Sequence, residues 1–151
     1  MIYLLDAGIL LRFSNASDPQ HTLIMGALNE LKRAGETLCM AQQSLFEAYS
    51  VATRPTEARG GFGFTPEDGA KMVNDLIASF SLLPDHPDTF PLWLAQVESF
   101  GVSGVQAHDC RLVAFMRAHG VTHLLTLNGK DFQRYAPLGI VVTAPADVVQ
   151  P

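Results

Sequence analysis

Short apolar segments alternate with longer helical patterns along the chain, and this alternation constrains the fold more than any other feature of the sequence. Apolar segments typical of strands occupy residues 2–5, 37–41, 80–84, 123–126 and 140–142. Helical patterns cover residues 43–53, 88–100 and 107–118, and two more open at Asp18-Pro19 and at Thr65-Pro66. Strands that alternate with helices pair in parallel, and right-handed crossovers then cover both faces of the sheet. We therefore predict an α/β fold of three layers, α/β/α, around a central parallel sheet of four or five strands.

Helical spacing also predicts which side chains face the core. Apolar residues at that spacing are predicted to be buried: Leu23, Ile24, Ala27, Leu28, Leu31, Leu45, Tyr49, Ala52, Met72, Leu76, Ile77, Phe90, Leu94, Val97, Leu112, Val113 and Met116. Residues 9–13 are predicted to form a short apolar turn. Residues 56–64 contain Gly60, Gly61 and Gly63 without a phosphate-cradling pattern, which predicts a flexible loop.

Composition limits the class of protein. A chain of 151 residues with 48% hydrophobic content is long enough for one well-cored domain, so we predict a single domain over residues 1–151. Its formal charge of -5 argues against a broad, non-specific nucleic-acid binder, so any contact with a polyanion would be local. Cys39 and Cys110 have no CxxC pairing and are expected to be reduced core residues.

The expected location follows from what the sequence lacks. No basic leader with an apolar core opens the chain, and no apolar run approaches the roughly 20 residues that a membrane span requires. We expect a soluble, cytoplasmic protein with no membrane partner.

Asp6 stands directly after the apolar run Ile2–Leu5, at the carboxyl end of the first predicted strand. Burying an unpaired charge costs several kcal/mol, so an acid in this position usually faces a metal, a cation or a ligand crevice. In open parallel sheets, ligands bind beyond the carboxyl ends of the strands. If the first and fourth strands are central, Asp6 and the residues after Thr126 become neighbours.

Three further acids lie at the edges of other apolar elements, and each also has an ordinary explanation. Asp131 is equally explained as a helix N-terminal acid that the helix dipole favours. For Asp109, in the first turn of its helix, the dipole alone is a sufficient reason. Glu47 lies in the middle of a largely apolar helix, although a helical glutamate is most often solvated.

The four carboxylates carry more weight together than singly. Mg²⁺ takes oxygen ligands, keeps several waters and needs only one or two direct carboxylates, so Asp6, Glu47, Asp109 and Asp131 have the chemistry to hold one or two such ions. Two ions can activate water and stabilise the leaving oxygen of a phosphodiester. Thr126 is a candidate supporting hydroxyl, although a β-branched residue is also common in any strand.

Other polar and aromatic residues near these elements are weaker candidates. His108 precedes Asp109 but is better explained as a helix cap or a surface group. Trp93 offers a surface for stacking a base, but its place in an apolar stripe favours a core or interface position. Cations next to the acidic elements are candidates for holding phosphates: Arg12, Arg54, Arg111, Lys130 and Arg134.

Four sequence motifs together resemble the PIN-domain family, and more narrowly the VapC-like toxin ribonucleases of bacterial toxin–antitoxin pairs. The motifs are Tyr3-Leu4-Leu5-Asp6-Ala7-Gly8-Ile9-Leu10-Leu11, Leu45-Phe46-Glu47-Ala48-Tyr49 followed by Ala52-Thr53-Arg54-Pro55, His108-Asp109-Cys110-Arg111-Leu112, and Thr126-Leu127-Asn128-Gly129-Lys130-Asp131-Phe132. The resemblance spans nearly the whole chain. Each motif is weak alone, and their order and spacing make the set specific.

This resemblance implies a PIN-like α/β/α fold and a Mg²⁺- or Mn²⁺-dependent endoribonuclease that hydrolyses RNA. It also implies a homodimer and a cognate antitoxin, a segment of which fills the active-site groove. Asp6, Glu47, Asp109 and Asp131 match the acidic positions of the family, Asn128 occupies an alternative place for the last acid, and Thr126 matches its hydroxyl position. The family usually has Asp-Thr-Asn where this chain has Asp6-Ala7-Gly8, so two polar groups are missing.

Two other functions compete with an active endoribonuclease. A catalytically weakened PIN-like module that binds RNA or a partner protein through the same groove would explain Ala7-Gly8, because loss of a supporting polar group weakens metal sites by about 10–100-fold. A phosphoacceptor domain of flavodoxin-like shape also places acids and Mg²⁺ beside a threonine. It requires an aspartate at the end of a middle strand, and none occurs between Asp18 and Asp68.

Overall fold

The computed structural model describes residues 1–149 and contains one five-stranded parallel sheet. The strands are β1 (Ile2–Leu5), β2 (Thr37–Ala41), β3 (Ser81–Leu83), β4 (His123–Leu125) and β5 (Val141–Thr143). The helices are α1 (Ala7–Ser14), α2 (His21–Arg33), α3 (Gln42–Ala52), α4 (Pro66–Ser79), α5 (Thr89–Phe100), α6 (Gln106–Ala118), α7 (Gly129–Phe132) and α8 (Pro145–Val149), with a 3₁₀ helix at Gln133–Leu138. The predicted α/β class and parallel sheet of four or five strands are confirmed, with five strands observed.

The strand order is β3-β2-β1-β4-β5, which places β1 at the centre of the sheet. Leu4 pairs in register with Cys39 of β2 on one side and with Leu124 of β4 on the other. This order differs from the 2-1-3-4-5 order of flavodoxin-like domains, so it does not support the phosphoacceptor alternative. The carboxyl ends of β1 and β4 are neighbours, as the sequence predicted.

The sheet separates two hydrophobic cores, because successive side chains of a strand point to opposite faces. Tyr3 and Leu5 pack on one face, against α1, α2, α3 and α4. Leu4 packs on the other face against α6 and the segment around Phe132 and Tyr135. The three-layer arrangement is therefore confirmed.

Residues 9–13 do not form the predicted turn, because α1 begins directly after β1. Asp6 is the N-cap of this helix and its side-chain oxygen accepts a hydrogen bond from the backbone nitrogen of Ala7 at 2.8 Å. Ile9 and Leu10 belong to this helix and are fully buried on its inward face. A strand that turns into a helix within one residue leaves no loop signal in the sequence, which explains the error.

Three of the predicted core residues lie on the surface instead. Ile77, Phe90 and Leu94 are 45%, 65% and 44% exposed. In α5 the buried face carries Gln96, and Trp93 and Val97 pack against the core beside α6. Because α5 is apolar on nearly all sides, its hydrophobic pattern does not determine which side faces inward.

The loop between α3 and α4, predicted to be flexible, makes several backbone hydrogen bonds within itself. The backbone nitrogen of Gly63 donates to the carbonyl of Arg54 at 2.8 Å, which joins the two ends of the loop. A Cβ at Gly61 would lie 2.3 Å from the carbonyl oxygen of Pro55, so only glycine fits there. Within residues 1–149, none of the helices combines the length and the apolar character of a bilayer crossing.

Candidate functional site

Asp6 lies at the junction between β1 and α1, at the centre of the carboxyl edge of the sheet. Its backbone nitrogen donates to the carbonyl of Leu125 at 3.1 Å, which continues the β1–β4 pairing by one residue. Its side chain is buried, at 8% exposure, and both oxygens accept hydrogen bonds. The local fold therefore fixes this carboxylate at the position where an open parallel sheet binds ligands.

Thr126 follows β4 and holds the second oxygen of Asp6. Its hydroxyl is fully buried and donates to Asp6 Oδ2 at 2.6 Å, across 120 residues of sequence. The same hydroxyl accepts from the backbone nitrogen of Asn128 at 3.0 Å. One side chain thus connects the ends of the two central strands and the start of α7.

Glu47 reaches the cleft from α3 and is held by Gln43, one helical turn earlier. Gln43 Nε2 donates to Glu47 Oε1 at 3.0 Å and to the backbone carbonyl of His108 at 2.8 Å. Gln43 Oε1 accepts from Arg111 Nη1 at 2.9 Å. Through this amide, the position of Glu47 on α3 depends on α6.

Asp109 and Asp131 complete the acidic part of the cleft. Asp109 is half-buried in the first turn of α6, whereas Asp131 is exposed within α7. Together with Asp6 and Glu47 they line one cleft of about 790 Å³, and Asn128 lies on the same wall. The structure therefore brings the four predicted acids to one place.

Burial, and then repulsion between the acids, raises the pKa of Asp6, Glu47 and Asp109. Burial, and then the charge of Asp131, raise the pKa of Asp6 against the hydrogen bonds from Thr126 and Ala7, which lower it. Burial, and then the charges of Asp6, Asp131 and Glu47, raise the pKa of Asp109 to about 6. Burial and the charge of Asp6 likewise raise the pKa of Glu47, although the bond from Gln43 lowers it. Such coupled, destabilised carboxylates are typical of functional sites, and a bound cation would relieve their repulsion.

The donor set of this cleft fits a hard divalent cation, since its candidate ligands are mainly carboxylate and amide oxygens, with the His108 imidazole beside them. No three Asp, Glu, His or Cys side chains within residues 1–149 converge closely enough to enclose an ion by themselves. Mg²⁺ needs only one or two direct carboxylates and retains several waters. The other carboxylates of the cleft can therefore contact such an ion through its bound water molecules.

The cleft wall also carries three arginines, Arg12, Arg54 and Arg59. Arg12 and Arg54 were predicted there, and Arg12 Nε donates to Gln20 Oε1 at 2.8 Å. Arg111 faces the neighbouring cavity instead, and Lys130, which is exposed, is absent from the cleft wall in the part of the chain that the structure describes. The same holds for Arg134.

The sequence reasoning missed Gln43 and Arg59. Gln43 had a usable signal, because a glutamine four residues before a candidate glutamate lies on the same helical face. Arg59 had none, since it comes from the irregular loop after α3. It is the single non-glycine residue with a positive φ in residues 1–149, at 41°, and it lines the cleft.

By sequence, the chain matches no protein-family model and no curated protein. Solved structures with similar folds include chains of bacterial toxin–antitoxin systems. A chain of the VapBC2 complex of Rickettsia felis, bound to a promoter DNA fragment, has a TM-score of 0.68 at 16% identity, over 95% of this chain and 98% of that one. A chain of VapBC-1 of nontypeable Haemophilus influenzae has a TM-score of 0.65 at 17% identity, over 97% of this chain and 99% of that one. VapC20 of Mycobacterium tuberculosis, a toxin that cleaves the sarcin-ricin loop, has a TM-score of 0.60 at 15% identity, over 92% of this chain and 96% of that one.

At these identities the likeness establishes the fold alone. The fold is that of the VapC toxins, as the four sequence motifs predicted. The match covers nearly the full length of both chains in each case, so no large element of the fold is missing or added.

Proposed function

We propose that this protein is a metal-dependent endoribonuclease and the toxin of a type II toxin–antitoxin pair. The observation that carries the proposal is the meeting of Asp6, Glu47, Asp109 and Asp131 in one cleft, on the fold of the VapC toxins. Desolvation and mutual repulsion raise the pKa of three of these carboxylates, which favours binding of a divalent cation over an empty site.

Asp6, Glu47, Asp109 and Asp131 would hold Mg²⁺ or Mn²⁺, with Asn128 as a further oxygen donor. When bound, such an ion supplies Lewis-acid stabilisation of the phosphodiester and lowers the pKa of a water molecule. Thr126 orients Asp6, and Gln43 orients Glu47, through the hydrogen bonds described above. Fixed carboxylates place the attacking water without a reorganisation cost during the reaction.

The arginines of the cleft would hold the RNA backbone on either side of the acids. Arg12, Arg54 and Arg59 line the cleft, and guanidinium groups bind phosphate oxygens in a bidentate manner. Arg111 and Lys130, also predicted from sequence to contact RNA, lie outside this wall and would act further along the strand. A protein of formal charge -5 then contacts RNA locally rather than over a wide basic surface.

The partners follow from the same family resemblance. We propose a homodimer and a cognate antitoxin whose segment fills the cleft, and we place the protein in the cytoplasm. Similar folds were solved in complexes that contain the antitoxin, as in Rickettsia felis and Haemophilus influenzae VapBC. Co-purification with the product of a neighbouring gene, followed by inhibition of RNA cleavage, tests this part of the proposal.

Cleavage of total RNA by the purified protein, with and without Mn²⁺ or EDTA, tests the activity. Mapping of the new RNA ends identifies the sites. Wild-type protein should cleave with Mn²⁺ and stop with EDTA, whereas Asp6→Asn should lose cleavage and keep its fold. Lys71→Ala, an exposed change on α4 away from the cleft, is the matched control and should cleave as the wild type does. Retained cleavage by Asp6→Asn would overturn the proposal.

The second candidate function is a weakened PIN-like module that binds RNA or a partner protein without cutting. Two observations favour it: Ala7-Gly8 replaces two polar residues of the family pattern, and no three acidic side chains within residues 1–149 converge tightly. Calorimetric titration with Mg²⁺ and Mn²⁺ separates the two functions. Absence of binding at millimolar metal would favour the module.

A further inference from the structure

A second cavity, which we call the aromatic pocket, adjoins the acidic cleft between α5 and α6. Its volume is about 570 Å³, and its walls include Asp85, Thr89, Phe90, Trp93, His108 and Arg111. His108 also lines the acidic cleft, so the two cavities share a wall. The volume falls within the range of about 300–1,000 Å³ that small-molecule sites occupy.

Two aromatic rings form one side of the aromatic pocket. Phe90 and Trp93 are stacked, with centroids 5.8 Å apart and planes inclined by 30°. Trp93 Nε1 donates to the carbonyl of Ala107 at 3.0 Å, which fixes the indole, whereas Phe90 is 65% exposed. An exposed ring beside an oriented indole provides a flat apolar surface on which another planar ring can stack.

The polar groups of the pocket include both a donor and an acceptor. Arg111 Nη2 donates to Asp85 Oδ1 at 3.2 Å, so a guanidinium and a carboxylate lie side by side at the rim. Thr89 also lines the pocket, but its hydroxyl is fully buried and offers no surface to a ligand. The polar contacts at the rim therefore come from the Arg111–Asp85 pair.

This combination selects one class of ligand. A phosphate is disfavoured by Asp85, and an aliphatic chain would leave the paired charges unused. A nucleobase satisfies both features, because it has a planar face for stacking and an edge with both donors and acceptors. Base stacking on aromatic side chains is also the common way in which proteins hold single-stranded nucleic acid.

We propose that the aromatic pocket binds an unpaired nucleobase of the RNA strand next to the bond that is cut. The proposal rests on the endoribonuclease function above and adds a subsite to it. The pocket is joined to the metal-site residues by hydrogen bonds, since Arg111 donates to Gln43 and Gln43 donates to Glu47. A base bound against Arg111 is therefore connected through the amide of Gln43 to Glu47, one of the carboxylates that would act on the RNA backbone.

Fluorescence of Trp93, the sole tryptophan of the chain, reports on this pocket directly. The protein is titrated in EDTA with AMP, GMP, CMP and UMP in turn, with excitation at the red edge where nucleotides do not absorb. We expect saturable quenching by at least one of them. Ribose 5-phosphate, which lacks the base, should give none at the same concentration.

Phe90→Ala removes the exposed ring without disturbing the core, and it should weaken the binding by about 5- to 100-fold, the range for loss of one stacking partner. Leu94→Ala is the matched control, because Leu94 is 44% exposed on the same helix and is not part of the pocket wall. It should bind as the wild type does. Equal quenching by ribose 5-phosphate, no quenching by any nucleotide, or unchanged binding by Phe90→Ala would each overturn the proposal.

Sedimentation of the wild type and Phe90→Ala identifies the main competing occupant. A wild-type dimer that becomes monomeric in the variant, without nucleotide quenching, makes this surface a contact between copies and overturns the base pocket. RNA cleavage by the same preparations separates the two proposals. Cleavage without quenching refutes the pocket alone, whereas quenching without any cleavage refutes the endoribonuclease and, with it, the placement of the base next to a bond that is cut.

Discussion

Thr126 supports Asp6 through its hydroxyl, and Thr126→Val removes that hydroxyl at nearly constant volume. Buried Asp6 Oδ2 and the half-buried backbone nitrogen of Asn128 each lose a partner, so we expect a loss of stability of about 1–3 kcal/mol. The hydroxyl lowers the pKa of Asp6, so its removal raises that pKa further and should reduce cleavage by about 10–100-fold. Denaturant unfolding and initial cleavage rates measure the two effects. Thr126→Ser keeps the hydroxyl and should restore both; failure to do so argues against this role.

Gln43 acts on Glu47 rather than on the substrate, which makes it a positioning residue. In Gln43→Met the hydrogen bond that lowers the pKa of Glu47 is lost, so that pKa rises. Protons then compete with the metal up to a higher pH, and the acid-side midpoint of the rate profile should move upward. Gln42→Met, the adjacent position in the wall of another groove, should leave the profile unchanged. A fall in rate that is equal at every pH would contradict positioning through Glu47.

The acids of the cleft were predicted from sequence in two ways. A charge that ends a buried strand or interrupts an apolar helix needs a partner, which made Asp6 and Glu47 candidates, whereas Asp109 and Asp131 were predicted from the set of four and from the family resemblance. Asp6 is the clearest case. Residues that work through others are harder to find: Arg59 reaches the cleft only because an irregular loop closes on itself through the bond from Gly63 to Arg54. No periodicity describes such a loop. At Lys130, adjacency in sequence to Asp131 did not place the side chain in the cleft wall, so its predicted contact with RNA would lie outside the cleft.

At the scale of the elements, α1 and α4 each contain a glycine in helical conformation, and the two should respond oppositely to alanine. A Cβ at Gly8 meets only Arg12 Nη1, at 3.6 Å, so Gly8→Ala should stabilise the protein by about 0.5–1 kcal/mol through helix propensity. A Cβ at Gly69 would lie 2.7 Å from both Tyr49 Cε2 and Thr53 Cγ2. Gly69→Ala should therefore destabilise the protein, by about 1–3 kcal/mol.

Chemical unfolding of both variants tests this contrast, with each serving as the control for the other. Equal effects of the two changes would mean that the packing of α4 on α3 is looser than the structure has it. The cleavage rate of Gly8→Ala is a separate measurement, since Gly8 also lines the cleft.

The elements themselves were largely predictable, because the strands are short apolar runs and most helices bury a clear stripe. Two kinds of element were not. The start of α1 carries no loop signal, as Asp6 ends the strand and caps the helix at once. The prediction that Phe90 and Leu94 of α5 face the core was wrong. A helix that is apolar on nearly all sides has no single hydrophobic stripe to identify its buried face.

At the scale of the whole molecule, the topology creates the site. β1 and β4 lie side by side at the centre of the sheet although Asp6 and Thr126 are 120 residues apart in sequence. The crossovers then bring α3 and α6 to the same edge with Glu47 and Asp109. Order and spacing of the motifs predicted this gathering, whereas the distances within it depend on packing that the sequence pattern does not encode.

Gathering carboxylates in one cleft should also make the stability of the protein depend on pH and on metal. The folded state raises the pKa of Asp6, Glu47 and Asp109, the last to about 6. Between the ordinary carboxyl pKa near 4 and this raised value, the folded state binds more protons than the unfolded state, so stability falls as pH rises through that interval. Without divalent metal, the melting temperature should therefore be higher near pH 5 than near pH 7.5.

Mg²⁺ or Mn²⁺ should reverse this trend, because an ion that binds only the folded state stabilises it by RT ln(1 + [L]/Kd), where [L] is the concentration of free ion. The gain in melting temperature should be large near pH 7.5 and should shrink as pH falls through about 6, where protons displace the ion from Asp109. Thermal unfolding over this pH range, with EDTA or with millimolar Mn²⁺, measures both effects. Asp109→Asn should flatten the metal-free pH dependence and reduce the metal-induced gain. A metal-free wild type that loses stability from pH 7.5 to pH 5 would show that these carboxylates are not held together against their mutual repulsion. That result would also contradict the proposed metal site.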